Sequence, residues 1–200
     1  MASKVDIWNL ALAHIGHRSN IADPDEASVE ANHCRRFYPI ALGTSLERHA
    51  WGFATRREAL AQVDNPVERW AFAYARPNLC IRPLAVLPPG SLSEADAQPY
   101  EIEASEAGEV IILTNMEDAV LRYTVLVTDT VKFSNLFVLA LSYDLASMLV
   151  GPIPKDVKLK KAMADWAAYW AEEASASDAN ASRGTTYRDF TPSNIAARNK

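Results

Sequence analysis

The stretch Asp6-Ile-Trp-Asn-Leu-Ala-Leu-Ala-His-Ile-Gly16 decides how the fold begins. Apolar residues recur here at helical spacing, at Val5, Trp8, Leu12 and Ile15. Ser3 is placed to cap the helix, and Gly16 is placed to end it, because glycine adopts the left-handed conformation without a Cβ penalty. The sequence therefore predicts a first helix between Ser3 and Gly16.

A second helix is predicted to start at Asp23-Pro24, since aspartate caps helices and proline suits the first helical position. Its apolar residues share one face: Ala27, Ala31, Cys34, Tyr38, Ala41 and Leu42. Pro39 removes an internal hydrogen bond, which predicts a kink near Arg35–Phe37.

Residues 53–128 change to a period of two, which is typical of strands. Apolar residues alternate in two runs: Trp70, Phe72 and Tyr74, and then Leu121, Tyr123, Val125 and Val127. A third run, Glu109–Thr114, is a shorter apolar strand. Turn signals separate the runs, at Asn65-Pro66, Pro88-Pro89-Gly90, Gly108 and Asn115–Asp118. This pattern predicts a small antiparallel sheet of about four to six strands.

Residues 129–180 return to helical spacing. A stripe of apolar residues runs along the first helix, and more apolar residues lie on another side: Phe133, Phe137, Leu141, Leu145 and Met148, with Leu139, Tyr143 and Ala146. A helix that is apolar on most faces is buried on most faces, and in so small a domain we expect neighbouring subunits to cover part of it. The last helix is predicted over Lys155–Ala176, with four apolar anchors: Val157, Met163, Trp166 and Trp170.

Charges on this last helix run against the helix dipole. Four lysines crowd its start, at Lys155, Lys158, Lys160 and Lys161. Glu172 and Glu173 lie near its predicted end, where the dipole favours positive charge. Two interpretations stay open: a neighbouring subunit sets these charges, or they are simply solvated at small cost.

The chain ends in a basic segment that follows an acidic body. Residues 181–200 carry four basic side chains and one acidic one, a charge of +3. The chain as a whole carries −5, so the other 180 residues carry −8, which predicts a separate partner for the end. Ser175–Gly184 is small and polar, which predicts a flexible linker, and spaced apolar anchors follow it: Tyr187, Phe190 and Ile195. These anchors are typical of a segment that orders on docking, although a frayed terminus is the alternative.

Together these patterns predict an α+β protein. Two N-terminal and two C-terminal helices form a helical bundle over residues 1–52 and 129–180. Residues 53–128 form an inserted small antiparallel β-sheet, and residues 181–200 form an extended C-terminal arm.

No set of residues predicts a metal, cofactor or catalytic site. Cys34 and Cys80 are the only cysteines, too few for a disulfide framework, and they favour a reducing compartment. His14 and His17 have no third metal ligand nearby. His33 beside Cys34 would point about 100° away from it on a helix, so we interpret Cys34 as a core thiol. The apolar stretch Val131–Val150 is interrupted by polar residues and predicts no membrane span.

Two further clusters are interpreted as structural. The acidic run could supply a carboxylate pair for sugar hydrolysis, but solvation of an edge strand explains it more simply: Glu101, Glu103, Glu106 and Glu109. Trp51-Gly52-Phe53 precedes Arg56 and Arg57, yet two arginines make no nucleic-acid patch. We expect these aromatic residues to cover the junction between helices and sheet.

The order of motifs in the first sixty residues resembles the tail tubular protein A family of short-tailed bacteriophages. The resemblance rests on Asp6–Gly16, Ile21–Ala27, Glu30–Ala41, and Trp51–Arg57 with Leu60, and is weaker through the sheet. The family usually has Trp-Asn-Phe-Ala where this chain has Trp51-Gly-Phe-Ala54.

The resemblance implies a structural role and no enzymatic activity. It implies a dodecameric ring in the neck of the virion tail, built from subunits made in the host cytoplasm. The ring would bind the portal protein above and the tail nozzle below, and in many phages it seats tail fibres. DNA would pass through the ring without sequence-specific binding, and an acidic lumen that repels phosphate fits this passage.

The C-terminal arm of the family reaches into the portal, which corresponds here to residues 181–200. The candidate portal-binding residues are therefore the cationic and apolar side chains of that segment: Arg183, Tyr187, Arg188, Phe190, Ile195 and Arg198. Two other functions stay open. One is a tail-associated peptidoglycan hydrolase, which needs two facing carboxylates. The other is a head-completion adaptor of a long-tailed phage.

Overall fold

The computed structural model describes residues 2–91 and 93–182. Over these ranges the protein is α+β, as predicted, with four helices and two small antiparallel sheets. The helices are α1 Lys4–His14, α2 Val29–Arg48, α3 Asn135–Leu149 and α4 Val157–Ser182. The strands are β1 Thr55–Ala59, β2 Gln62–Val63, β3 Phe72–Ala75, β4 Cys80–Leu87, β5 Tyr100–Ala104, β6 Val110–Thr114 and β7 Val120–Val125.

Helix α1 begins and ends at the predicted residues. The Ser3 hydroxyl accepts a hydrogen bond from the Asp6 backbone N–H, and the Asp6 carboxylate accepts one from the Ser3 N–H, which completes a capping box. Gly16 has a φ of +74°, and the N–H groups of Gly16 and His17 bond back to the carbonyls of Ala13 and Leu12. Both helix ends are therefore specified locally.

Helix α2 starts later than predicted. Asp23-Pro24 lies in a turn, where the Glu26 carboxylate accepts hydrogen bonds from the Ala22 and Asp23 N–H groups. Ser28 caps the helix instead, through the Ala31 N–H, so the predicted apolar position Ala27 precedes the helix and is exposed. The helix then continues through Pro39 to Arg48.

Helix α3 is the centre of the bundle. It packs against α1, α2 and α4, and most of its residues are buried, including Phe137, Leu141 and Leu145. Three helices of the same chain cover the apolar faces of α3, so the burial of these faces does not require the neighbouring subunits that we expected.

The β-rich region forms two sheets where one was predicted. Strands β1, β7 and β4 make a three-stranded sheet, and β2, β3, β6 and β5 make a four-stranded sheet. The two sheets meet where β1 passes into β2 and where β6 passes into β7. Tyr74, Ile112, Leu121 and Tyr123 join the helices in one continuous core, so the inserted sheets and the bundle are packed together.

Helix α4 is longer than predicted. Asp156 accepts hydrogen bonds from the Lys158 and Leu159 N–H groups, and the helix continues to Ser182 through the stretch predicted to be a flexible linker. Glu172 and Glu173 consequently lie in its middle, where the dipole argument about its last turn no longer applies.

The anchors predicted in α4 are partly wrong. Met163 is buried, but Val157 is 83% exposed and Trp166 is 48% exposed, while Trp170 is half-buried. The small residues Ala167 and Ala174 face the core instead. These alanines allow α4 to pack closely against α3. The large side chains of Trp166 and Trp170 therefore lie at the edge of the contact between the two helices.

Candidate interaction surface

The junction between helices and sheets is built from aromatic residues, as predicted. Trp51 is buried against Phe137 with ring centroids 4.9 Å apart, and Phe53 packs on Phe133 and Phe137 at 5.5 and 5.0 Å. The Trp51 indole N–H donates a 2.9 Å hydrogen bond to the carbonyl of Ser45. The end of α2 is thereby fixed to the start of β1.

Asp178 of α4 closes over this junction. Its carboxylate accepts hydrogen bonds from the Gly52 backbone N–H at 3.1 and 3.2 Å, and it lies 3.1 Å from the His49 Nε2 atom. The group at position 52 that Asp178 binds is backbone, so the contact does not depend on a side chain there. We call these three residues the junction latch.

Helix α4 reaches the latch because it is longer than its partner. It has 26 residues and α3 has 15. At about 1.5 Å per residue, α4 extends roughly 16 Å farther than α3. The latch therefore holds the part of α4 that α3 cannot cover.

An open cleft of about 290 Å³ lies between the end of α2 and α4. Its walls are largely apolar, from Trp51, Ala168 and Ala171, and its rim carries Arg48 and His49. Both rim groups already bind within the chain, Arg48 to Asp144 and His49 to Asp178. The cleft therefore combines an apolar wall with the carboxylate of Glu172, which also lines it.

A row of aromatic rings crosses the opposite flank of α4. The ring centroids are 3.8 Å apart between His14 and Tyr143, 6.3 Å between Tyr143 and Trp166, and 5.9 Å between Trp166 and Tyr169. Trp166 and Tyr169 are each 48% exposed. Large aromatic side chains that stay half exposed on a helix are typical of interaction surfaces.

Acidic side chains surround the exposed rings. Asp165, Glu172 and Glu173 are exposed and share the outward side of α4 with Trp166 and Tyr169, since their helical positions span about 120°. We call these five residues the acidic aromatic face. From Asp165 to Ser182 the helix carries four acidic residues and no basic one.

The predicted portal-binding residues lie outside the described residues: Arg183, Tyr187, Arg188, Phe190, Ile195 and Arg198. Helix α4 is described as far as Ser182, the residue before Arg183.

The histidines that sequence reasoning weighed as metal ligands do not meet. His14 Nε2 lies 3.0 Å from the Ser142 hydroxyl, and burial lowers the pKa of His14. His17 instead lies 3.1 Å from a carboxylate oxygen of Glu30. Across residues 2–91 and 93–182, no group of three or more potential metal ligands comes together.

Cys34 is a core thiol, as predicted. It is fully buried, and burial raises the pKa of its thiol to about 12. His33 stacks on Phe37 instead of facing the thiol. A thiol with so high a pKa carries almost no thiolate at neutral pH and is a poor nucleophile.

Two members of the acidic run, Glu101 and Glu103, lie on the edge strand β5, as predicted, whereas Glu106 and Glu109 lie in the connection between β5 and β6. Glu101 of β5 accepts hydrogen bonds from the Trp70 indole and from Arg69, and these bonds lower the pKa of its carboxyl group. A general acid needs the opposite shift, so Glu101 is poorly suited to that role.

Within the part of the chain that the structure describes, no helix has the length and apolar character to cross a membrane. A search of the sequence against models of known protein families found no match, and a search of curated proteins found no significant one.

Proposed function

We propose that this protein is a structural head-to-tail adaptor of a bacteriophage, which forms a ring between the portal and the tail nozzle. The observation that carries the proposal is the anchoring of α4: the junction latch holds a helix that is described as far as Ser182, directly before a basic segment of the sequence. A fixed helix of this kind suits an arm that must reach a neighbouring protein from a defined position.

The segments that carry the resemblance support the proposal by their place in the fold. Asp6–Gly16 forms the capped helix α1, and Trp51–Arg57 forms the junction and the start of β1. Gly52, where the family usually has asparagine, contributes its backbone N–H to the latch. The family pattern therefore falls on α1, which packs against α3, and on the junction that binds α4.

The ring is proposed to be a dodecamer of identical subunits, which needs two different, complementary faces on each subunit. The acidic aromatic face is one candidate. Val29 and Ile40 of α2, 64% and 54% exposed, offer apolar contacts on another helix. In this arrangement residues 181–200 dock into the portal, the lower rim meets the nozzle, and tail fibres attach at the outer rim.

The acidic body suits the passage of DNA. Residues 1–180 carry a charge of −8, and a lumen lined by such subunits repels phosphate groups and lets DNA slide. The mature location is the neck of the virion tail, and the subunits wait in the host cytoplasm before assembly.

Electron microscopy of the purified protein mixed with the portal of the same phage tests the proposal. The expected result is a closed ring stacked on the portal, while the protein alone sediments as a monomer or weak oligomer. A stable closed dimer that persists with portal present would overturn the proposal. Virions that lack this protein at the neck would do the same.

A further inference from the structure

We infer that the acidic aromatic face of α4 is a docking surface for an arginine-bearing segment, and that its occupant in the free protein is residues 183–200 of the same chain. The inference goes beyond the proposed function, because it concerns the protein before any partner binds.

The charges of the two segments are complementary. The last eighteen residues of α4, from Asp165 to Ser182, contain four acidic residues and no basic one. The eighteen residues that follow carry three arginines, one lysine and one aspartate, a charge of +3. The lysines of α4 precede Asp165, at Lys158, Lys160 and Lys161, so they lie one to two turns before the acidic aromatic face.

The exposed rings provide a second kind of attraction. Trp166 and Tyr169 present half their surface outward, between the carboxylates of Asp165, Glu172 and Glu173. Arginine side chains stack on such rings by cation–π attraction while they bind carboxylates. Tyr187 and Phe190 add apolar contacts of the kind that these rings accept.

The lengths of chain also match. Tyr169 lies thirteen residues before Ser182, about 20 Å back along the helix. An extended chain covers about 3.3 Å per residue, so the eighteen residues that follow Ser182 are long enough to reach back to Tyr169. A tethered segment has an effective concentration in the millimolar range, which favours the same chain over a second copy.

Paramagnetic broadening in the full-length protein tests the inference. Asn194→Cys carries a nitroxide label, because Cys34 and Cys80 are buried and label poorly. The indole signals of the five tryptophans are observed, and Trp166→Phe identifies the signal of Trp166. We expect at least about a twofold loss of the Trp166 signal relative to the buried Trp8, recovering at 1 M salt, where the screening length is about 3 Å.

Two matched triple variants distinguish docking at the acidic aromatic face from a general effect of negative charge on the protein. The triple change Asp165→Asn, Glu172→Gln and Glu173→Gln removes three charges from the face and should abolish the broadening. The control Glu103→Gln, Glu106→Gln and Glu109→Gln removes three exposed charges from the sheet and should preserve it. Circular dichroism checks that both variants fold.

Three outcomes overturn the inference. Equal loss of the Trp166 and Trp8 signals excludes docking at this face. Persistence of the selective loss in the first triple variant excludes the acidic residues as its cause. Broadening that appears when labelled and observed chains are separate molecules assigns the occupant to a second copy.

Discussion

Arg48 grips Asp144 with both terminal nitrogens of its guanidinium group, each 2.9 Å from a carboxylate oxygen. Asp144 is buried on α3 and also accepts a 2.9 Å hydrogen bond from the Ser45 hydroxyl. Arg48 is half exposed at the end of α2. The pair thus joins the two helices through one buried and one accessible charge.

Removing Arg48 should cost more stability than removing the charge of Asp144. Arg48→Met leaves a buried carboxylate without its cation, and we expect a loss of about 3–5 kcal/mol in the free energy of unfolding. Asp144→Asn leaves an arginine that water can reach, and we expect a smaller loss of about 1–3 kcal/mol. Urea unfolding measures both. Arg36→Met, at an exposed position of the same helix, is the control, and the reverse order of losses would contradict the prediction.

Asp178→Ala should loosen the junction latch and the end of α4. The change removes charge-assisted hydrogen bonds to Gly52 and His49, at an expected cost of about 1–3 kcal/mol. Hydrogen exchange should accelerate at Gly52 and over the last turns of α4, while α1 stays protected. Asp165→Ala, on the exposed side of the same helix, should leave Gly52 protected. Equal protection of Gly52 in both variants would count against the latch.

Alkaline pH should destabilise the protein through Cys34 and Tyr38. Burial raises the pKa of both groups to about 12, from ordinary values of 9.0 and 10.0. The folded state holds their protons longer than the unfolded state, so this stability is complete below pH 9 and is lost between pH 9 and 12. Free energies of unfolding measured between pH 8 and 11 should fall with rising pH.

Tyr38→Phe isolates one part of that effect. Among the described residues the buried Tyr38 hydroxyl has no hydrogen-bond partner, so its removal should raise the free energy of unfolding at neutral pH by about 1 kcal/mol. The decline between pH 10 and 11 should also become shallower. A destabilised variant would show that the hydroxyl is hydrogen-bonded, and an unchanged alkaline slope would show that its pKa is not raised.

Removing residues 183–200 should abolish portal docking and leave the fold intact. The cut follows Ser182, the last residue of α4, and spares the latch. Aromatic and arginine anchors usually dominate such contacts, at about 2 kcal/mol or more each, so Phe190→Ala should weaken docking more than Asn199→Ala. Pull-down on purified portal measures binding, and circular dichroism checks folding. Equal binding by the truncated chain would exclude the segment as the docking arm.

No cell-wall hydrolysis is expected from the purified protein. Each candidate group weighed above lacks a required partner, and Glu101 in particular is held as a carboxylate by Trp70 and Arg69. A zymogram tests this directly. Activity that disappears in Glu101→Gln or Glu103→Gln, with folding unchanged, would reverse the assignment.

The sequence predicted what local chemistry determines. Ser3 and Gly16 act on residues within five positions of themselves, so the ends of α1 could be read directly. The alternation at β3 and β7 correctly predicts strands, but burial does not alternate along β3, where the neighbouring residues Ala73 and Tyr74 are both buried. The core position of Cys34 followed from its place in the apolar face of α2.

Other features depend on distant parts of the chain or on competition between similar signals. Arg48 and Asp144 are 96 positions apart, and no local pattern pairs them. Asp23 and Ser28 are both of the residue types that cap helices, and only the structure shows that Ser28 is the cap. The small polar residues of Ser175–Gly184 predict a linker, although the alanines among them favour the helix that the structure shows as far as Ser182.

Because α4 is unbroken from Asp178 to Ser182, the side of the subunit on which Ser182 lies depends on the number of residues between them. Each residue turns the helix by about 100°, so a single insertion between Asp178 and Ser182 would move Ser182 to a different side. Seven inserted residues would return Ser182 to within about 20° of its original rotational position, farther along the helix axis from Asp178. Insertions of seven residues, which are about two helical turns, would therefore lengthen α4 and keep its last described residue on the same side of the subunit.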